Sequence, residues 1–291
     1  MLPAAFDYRA PTDLGEALRL LAQHGDEAKV LAGGQSLIPL LKLRLAAPAL
    51  LIDIGRITEL SGVRADSSRL QVGALTRHAD IEAARQLRGA WSILLDAAPQ
   101  ISDPLIRNQG TVGGSLCHAD PAGDWGAVML ALDAEMVLRS QAGERTVRAV
   151  DFFEGPFSTV MRPDEVLTEI RISRPRPRSS GTYLKLERKV GDFATVGVAV
   201  QVELDDGRVA GAGIGLCAVG PRSLKARAAE QALVGQEPSE TVIATVARQA
   251  AEAAQPTADL RGSADYKRDV VRVFVQRGLR TAVKRAREAL A

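Results

Sequence analysis

Two glycine pairs constrain the fold of this chain more than any other feature of its sequence. The first lies in segment 32–36 (Ala-Gly-Gly-Gln-Ser), after the apolar run 28–31, and the second lies in segment 111–115 (Thr-Val-Gly-Gly-Ser). Glycine lets a backbone approach a ligand where any Cβ atom would collide. Because successive N–H groups in such turns form a concave anion site, two of them are able to hold the two phosphates of one pyrophosphate. Together the pairs favour dinucleotide binding over two plain tight turns.

Neither pair belongs to a common nucleotide-binding fingerprint. No Gly-Lys-Ser/Thr follows, as a Walker A loop requires, and the third glycine of the Rossmann pattern is missing. The sequence therefore predicts a nucleotide site that is neither a Walker A loop nor a Rossmann site.

Composition places the chain among ordinary globular proteins. It has 291 residues, of which 46% are hydrophobic and 25% charged, with a net charge of +2. This length suffices for two or three domains, and the charge gives no support to nucleic-acid binding. No apolar run reaches the roughly 18 residues of a membrane span, and Asp7 and Arg9 interrupt the N-terminal stretch. We expect a cytoplasmic protein with no membrane span.

Cysteine usage restricts the redox chemistry. Cys117 and Cys217 are the only two cysteines, and the three histidines are scattered. An iron–sulfur cluster usually takes four thiolates and a zinc site needs clustered ligands, so neither is expected in this chain. We interpret both cysteines as buried small hydrophobes, and redox chemistry must then come from an organic cofactor.

The order of predicted elements indicates an α/β beginning. The first glycine pair lies between a strand and a short helix, at the end of a sheet, where nucleotides tend to bind. A second α/β unit begins near Ile57. The predicted helices cover 14–21, 36–45, 78–87 and 91–98, and the predicted strands cover 28–32, 49–54, 70–74, 135–139 and 166–172.

Residues 174–181 (Arg-Pro-Arg-Pro-Arg-Ser-Ser-Gly) interrupt this pattern. They are typical of an exposed connector, with an arginine-rich phosphate site as the alternative. The strands predicted beyond them cover 183–189, 195–204 and 209–218, and the helices cover 224–234, 242–254 and 265–289. An antiparallel sheet followed by helices is typical of a separate α+β domain. The last helix is basic but lacks the aromatic residues interleaved with basic ones that base stacking requires, so we interpret its charges as a solvated face.

Several motifs together carry a family resemblance. They are 32–37 (Ala-Gly-Gly-Gln-Ser-Leu), 111–116 (Thr-Val-Gly-Gly-Ser-Leu), 118–124 (His-Ala-Asp-Pro-Ala-Gly-Asp), 183–189 with 191–194, and 263–268. In this order they resemble the signatures of the FAD-binding medium subunits of molybdenum hydroxylases. This family includes aerobic carbon monoxide dehydrogenase and bacterial relatives of xanthine dehydrogenase, and the resemblance spans almost the whole chain.

The resemblance implies an α+β fold and an oxidoreductase subunit. Two small α/β subdomains, 1–56 and 57–175, would form a PCMH-type FAD-binding domain, and 180–291 an antiparallel-sheet-plus-helices domain of the CO dehydrogenase flavoprotein type. FAD would take electrons from the [2Fe-2S] clusters of a small subunit, which a large molybdopterin subunit feeds, and pass them to an external acceptor. The implied assembly is a dimer of heterotrimers, a heterohexamer. No catalytic acid, base or nucleophile is expected within this chain.

The resemblance also implies cofactor contacts, position by position. Backbone N–H groups of 33–36 would line the FAD pyrophosphate, 111–115 would form a second wall, and Lys185 would approach the flavin. Asp124 would accept ribose or ribityl hydroxyl protons, with a turn-stabilising role about equally favoured. The full set of expected contacts is Ala32, Gly33, Gly34, Gln35, Ser36, Leu37, Thr111, Gly113, Gly114, Ser115, His118, Asp124, Leu167 and Lys185.

Some points stay open at the level of sequence. A lysine on a strand, such as Lys185, is by itself more typical of a solvent-exposed position. Trp125, Tyr183 and Phe193 are candidates to stack on the isoalloxazine, and core packing explains each equally well. Two other classes of function remain, a self-sufficient flavin oxidase and a non-catalytic assembly protein of the same fold. The intact second glycine of both pairs argues against the assembly protein.

Overall fold

The computed structural model describes residues 2–289 in three packed units. Met1, Leu290 and Ala291, which the expected domain ranges include, lie outside the described residues. Each unit has its own cluster of buried apolar side chains. The expected domain boundaries themselves stay a prediction.

The N-terminal unit is a parallel three-stranded sheet in the order β1-β3-β2. Its elements are β1 (Asp7–Arg9), α1 (Leu14–His24), β2 (Ala28–Leu31), α2 (Leu37–Lys42) and β3 (Leu50–Asp53). The predicted strand–glycine loop–helix–strand order is confirmed, and the loop leaves the carboxyl end of β2. Helix α2 is shorter than the predicted 36–45 because Arg44 has a φ of 58°, a left-handed conformation that ends a helix.

The second unit is built on a five-stranded antiparallel sheet in the order β4-β5-β10-β6-β7. Its strands are β4 (Val63–Ala65), β5 (Arg69–Gly73), β6 (Glu135–Ser140), β7 (Gly143–Arg148), β8 (Phe153–Gly155), β9 (Ser158–Thr159) and β10 (Val166–Ser173). Its helices are α3 (His78–Ala83), α4 (Ser92–Ala97), α5 (Pro104–Arg107), α6 (Val112–His118), α7 (Asp124–Ala131) and α8 (Ala149–Phe152). The predicted strands here are confirmed, whereas β4 and β7 escaped prediction because most of their residues are exposed and neither has a buried apolar alternation.

The C-terminal unit is an antiparallel sheet followed by helices, as predicted, but the sheet has four strands rather than three. The fourth strand takes the first two residues of the helix predicted over 224–234, and the first strand begins at Ser179, buried, within the predicted exposed connector 174–181. Its elements are β11 (Ser179–Glu187), β12 (Ala194–Asp205), β13 (Arg208–Cys217), β14 (Leu224–Lys225), α9 (Arg227–Leu233), α10 (Glu240–Ala253) and α11 (Ala264–Glu288). Helix α11 crosses the sheet and many of its basic side chains form ion pairs, such as Arg280 with Glu240 and Arg285 with Asp96. Its charges are thus only partly a solvated face, and Lys267 is 3% exposed.

Tight packing of α7 on β13 joins the second and third units. A Cβ atom on Gly213 or Gly215 would run into the carbonyl oxygens of Ala131 and Ala127. The helix backbone therefore rests directly on the strand, and only glycine permits this approach. The arrangement brings the N-terminus of α7 next to β11.

Hydrogen bonds from α4 to β11 strengthen the same junction. Ser92 donates to the Gly181 carbonyl, Thr182 donates to the Asp96 carboxylate, and the Gln100 side chain donates to the Tyr183 carbonyl. Ser92, Asp96 and Gln100 are spaced by four residues, which places them on one side of a helix and of the 3₁₀ turn that continues it.

No helix within residues 2–289 is long and apolar enough to cross a membrane. Cys217 is buried, as the sequence indicated, and Cys117 is half-buried with its Sγ 3.4 Å from Met161 Sδ.

Candidate cofactor-binding site

The first glycine loop presents a row of unpaired backbone donors. Within the described chain, 2–289, the N–H groups of Gly33, Gly34, Gln35 and Ser36 donate to no protein acceptor. Gly34 has a φ of 73°, and the Gln35 side chain donates to the Gly33 carbonyl oxygen at 2.8 Å, which holds the turn closed. Successive N–H groups of this kind are suited to a phosphate group. The loop therefore fits a pyrophosphate.

The second glycine pair lies in a helix rather than in a turn, which corrects the sequence interpretation. Thr111 is the N-cap of α6, and its hydroxyl accepts a hydrogen bond from the Gly114 N–H at 3.1 Å. The Gly113 N–H donates to the Ala74 carbonyl at 2.9 Å. Both donors are thus used inside the protein. Gly113 is a glycine because a Cβ atom there would lie 2.6 Å from the Ala74 Cβ.

The two glycine segments lie side by side. A Cβ atom on Gly114 would stand 3.8 Å from the Ala32 Cβ, and one on Gly33 would lie 2.8 Å from the Gly110 Cα. A Cβ atom on Gly114 would first meet the Thr111 hydroxyl, at 2.7 Å, and then the first loop, whereas one on Gly113 would meet Ala74 beside the sheet. The contact makes one continuous cradle of 32–36 and the start of α6.

Asp124 and Lys185 form the polar end of this cradle. Asp124 is the first residue of α7 and is buried, and Lys185, on β11, has a side chain that is only 1% exposed. The Lys185 ammonium donates to Asp124 Oδ2 at 3.3 Å and to the Gln100 carbonyl at 2.8 Å. The expectation that an isolated strand lysine faces solvent is therefore wrong here. Asp124 is not a simple turn stabiliser, because it pairs with another unit.

Tyr183 completes the environment of Asp124. Its hydroxyl donates to Asp124 Oδ1 at 2.6 Å and lies 3.4 Å from Cys217 Sγ. Burial raises the pKa of Asp124, against the opposing effect of Lys185 and of the Tyr183 hydrogen bond. Burial also raises the pKa of Cys217 to about 12, so this thiol is not a nucleophile at neutral pH.

Four further predicted contacts occupy different places around the cradle. Leu37 begins α2, directly after the first loop, and Ser115 lies on α6 beside the turn that leads to Asp124. Leu167 is buried on β10 at a register shift of the strand. His118 lies at the far end of α6 with its ring 5.1 Å from that of Phe157, and burial lowers its pKa. The structure thus joins Ser115 to the cradle and leaves His118 at its periphery.

The three aromatic candidates differ sharply in their surroundings. Trp125 is fully buried and donates its Nε1–H to His78 Nδ1 at 3.0 Å. Tyr183 is 1% exposed and bound to Asp124. Phe193 is 53% exposed in the loop between β11 and β12. Core packing therefore accounts for Trp125 and Tyr183, and only Phe193 has a ring open to a ligand.

Sequence reasoning missed two members of the site. Gln100 supplies a carbonyl oxygen to the Lys185 ammonium, and Glu187 Oε2 lies 3.5 Å from the same nitrogen. A backbone carbonyl carries no sequence signal. Glu187 stands two residues after Lys185 on a strand, and that spacing alone suggests a shared face.

Two family models match the chain. Residues 4–175 match the model of a family described as the FAD binding domain in molybdopterin dehydrogenase. Residues 181–282 match that of the CO dehydrogenase flavoprotein C-terminal domain.

Similarity to individual proteins extends over the whole chain. The carbon monoxide dehydrogenase medium chain of Hydrogenophaga pseudoflava is 39% identical over 97% of this chain and 98% of its own. The 6-hydroxypseudooxynicotine dehydrogenase complex subunit alpha of Paenarthrobacter nicotinovorans is 38% identical over 99% of this chain and 97% of its own. A solved carbon monoxide dehydrogenase structure from Hydrogenophaga pseudoflava superposes with a TM-score of 0.94 at 42% identity, over 98% of this chain and 99% of that one.

Proposed function

The chain belongs to the FAD-binding family of molybdopterin dehydrogenases, and we propose that it is the electron-transfer subunit of a molybdenum hydroxylase. In this role it works beside a small [2Fe-2S] subunit and a large molybdopterin subunit, in a dimer of heterotrimers. Bound FAD supplies the redox chemistry. It holds two electrons, which it receives one at a time from the clusters and passes to an external acceptor. The protein supplies binding, orientation and electrostatics.

The observation that carries the proposal is the row of four unpaired N–H groups in residues 33–36. A phosphate anion satisfies such donors without a cationic side chain. The adjoining start of α6 closes the second side, where Gly114 keeps the space between the loops free of a Cβ atom. Ala32, Thr111 and Ser115 shape this wall, while Gly113 secures α6 to the sheet.

Asp124 and Lys185 have complementary roles in this proposal. Asp124 offers carboxylate oxygens to sugar or ribityl hydroxyl groups, and Tyr183 and Lys185 hold it in place. The Lys185 ammonium stabilises negative charge that develops on a reduced ring system beside it. Phe193, in the loop that follows β11, is our candidate to cover a ring that approaches Lys185, because its side chain is largely exposed.

The decisive experiment separates cofactor binding from electron supply. The purified chain is incubated with FAD, freed of excess and examined by visible spectroscopy, alone and after co-expression with candidate small and large subunits. We expect retained flavin that is bleached by the complex's substrate only when both the iron–sulfur subunit and the molybdopterin subunit are present. Flavin that the substrate reduces in the isolated chain would instead establish a self-sufficient oxidase.

A colourless protein in every combination would establish the assembly-protein alternative. The four N–H groups of the first loop that donate to no protein acceptor disfavour it, because half-buried donors in a row are suited to an anion.

A further inference from the structure

A line of polar side chains leads from the buried end of the cradle to the surface. Tyr183, Lys185 and Glu187 follow one another at alternate positions of β11. The Lys185 side chain is 1% exposed and that of Glu187 is 22% exposed. Glu187 is thus the member of the line that reaches water.

One oxygen of the Glu187 carboxyl group is buried, although 22% of the side chain is exposed to solvent. Its Oε2 is fully covered and accepts no hydrogen bond within residues 2–289, although it lies 3.5 Å from the Lys185 ammonium. A buried carboxylate oxygen without a donor is unusual, because desolvation of a charged oxygen is unfavourable unless it is compensated. A small movement of either side chain would close the gap to a hydrogen bond.

The charges around this pair add up to an excess of carboxylates. Asp124 faces Lys185 from α7 and Glu187 faces it from β11, so one ammonium stands between two carboxyl groups. The other titratable groups of the cluster are Tyr183, Cys217 on β13 and Asp120 before α7. None of these adds a positive charge. An electron that arrives beside the cluster adds further negative charge, which favours protonation of the carboxylate that is open to water.

From this geometry we infer that Glu187 is a proton relay between water and Lys185. The inference rests on the proposed function, in which iron–sulfur clusters deliver electrons one at a time and without protons. Two electrons and one proton convert the oxidised cofactor to its singly protonated reduced form. Glu187, a carboxylate at rest, takes a proton from solvent, the Lys185 ammonium gives a proton to the reduced cofactor, and Glu187 then passes its proton to Lys185. One proton is taken from solvent for every two electrons, and the residues end as they began.

The test follows electrons and protons separately in the full chain loaded with FAD. A photochemically generated one-electron donor reduces the flavin in weakly buffered solution, and a pH-indicator dye reports proton uptake. In the wild-type chain, uptake keeps pace with flavin bleaching. In Glu187→Gln we expect bleaching by the electron donor to be retained and proton uptake to be at least about tenfold slower, the lower end of what acid–base transfer contributes. Added acetate should restore the rate in this variant.

Glu203→Gln is the matched control. Glu203 is a glutamate of the same sheet with a 28% exposed side chain and a cation, Arg176, at 3.6 Å. It should behave as wild type. Glu187→Asp, which keeps a titratable group, should retain more of the uptake rate than Glu187→Gln.

The outcomes that contradict the relay are distinct from those that contradict the function. If Glu187→Gln takes up protons at the wild-type rate, the relay is wrong and the proposed function is unaffected. Loss of FAD in this variant also contradicts the relay, because Glu187 would then be a binding residue. A wild-type chain that holds no FAD in any subunit combination overturns the proposed function together with the relay. Flavin absorbance, measured before any reduction, separates these cases.

Discussion

Lys185 Nζ lies 3.3 Å from Asp124 Oδ2, across the contact between β11 of the C-terminal unit and α7 of the second unit. The exposed fractions of the two side chains are 1% and 8%. The pair therefore does two things at once: it fixes a charged group at the end of the cradle, and it ties two units of the fold together. Its disruption should be visible in stability as well as in cofactor properties.

Removal of the Lys185 charge should lower both the stability of the chain and the potential of bound FAD. In Lys185→Met the Asp124 carboxylate is left buried without its cation, and we expect the free energy of unfolding of the cofactor-free chain to fall by about 3 kcal/mol. The potential of bound FAD should also fall, because the reduced form loses a stabilising positive charge. Urea unfolding and redox titration measure the two effects. Asp124→Asn combined with Lys185→Met should recover stability but not the potential, and an unchanged potential in Lys185→Met would place the ammonium away from the flavin.

Substitution of Gly34 should abolish FAD retention beyond its effect on folding. Gly34 and Gly207 have φ values of 73° and 77°, so an alanine at either position costs about 1 kcal/mol of backbone strain. Gly207 has open space around it, whereas Gly34 stands among the unpaired donors of the first loop, and a Cβ atom there would lie 2.7 Å from Ile38 Cδ1, at the end of a flexible side chain. We expect Gly34→Ala to lose flavin absorbance after excess FAD is removed, and Gly207→Ala to keep it. Equal flavin content in the two variants would remove the first loop from the site.

The two glycines of α6 should respond differently to substitution. A side chain on Gly113 would press on Ala74, so Gly113→Ala should lower the stability of the cofactor-free chain by roughly 1–3 kcal/mol. A Cβ atom on Gly114 would lie 2.7 Å from Thr111 Oγ1, which caps α6, and 3.8 Å from the Ala32 Cβ, so Gly114→Val should lower stability too and should in addition prevent FAD retention. Thermal unfolding without FAD and flavin absorbance with it distinguish the two. Full flavin occupancy in Gly114→Val would contradict the two-walled cradle.

His78 should make the stability of the chain depend on pH. Burial, with a smaller contribution from Arg107, lowers the pKa of His78 from 6.5 to about 4, and its Nδ1 accepts from Trp125. Because the folded state favours the neutral ring, this stabilisation is fully present above pH 6.5 and is lost as the pH falls through about 4. The loss amounts to about 3 kcal/mol, at roughly 1.4 kcal/mol per pKa unit. His78→Asn keeps an acceptor for Trp125 but cannot titrate in this range, so its unfolding free energy should vary less with pH. If the unfolding free energies of the wild-type chain and of His78→Asn changed equally with pH, His78 would not be the source of the pH dependence.

Phe193 should shield the bound flavin from solvent. Of the three aromatic candidates it alone is largely exposed. Phe193→Ala should therefore increase quenching of flavin fluorescence by iodide. Phe6→Ala is a suitable control because Phe6 is 37% exposed and precedes β1, at the end of the parallel sheet opposite to the first loop. Similar quenching in both variants would mean that Phe193 does not reach the cofactor.

Local features of the fold were predictable from the sequence. Helix α1 and strands β2, β3 and β10 follow from apolar periodicity, and the β12–β13 hairpin follows from Asp205, Asp206 and Gly207. The second glycine pair was misinterpreted as a turn. A threonine three residues before Gly114 is a helix N-cap signal that could have placed the pair in α6.

The sequence by itself determined where backbone without a Cβ atom is available, which is a local property of glycine and of the residues beside it. That was enough to indicate a pyrophosphate-binding loop at 32–36. The tertiary structure alone decided that Gly114 adjoins Ala32, that Lys185 is buried against Asp124, and that Glu187 lies between Lys185 and water. These relationships join residues that are distant in sequence or depend on which neighbours cover a side chain. They arise when α6, α7 and β11 pack together, and no local pattern of residues encodes that packing.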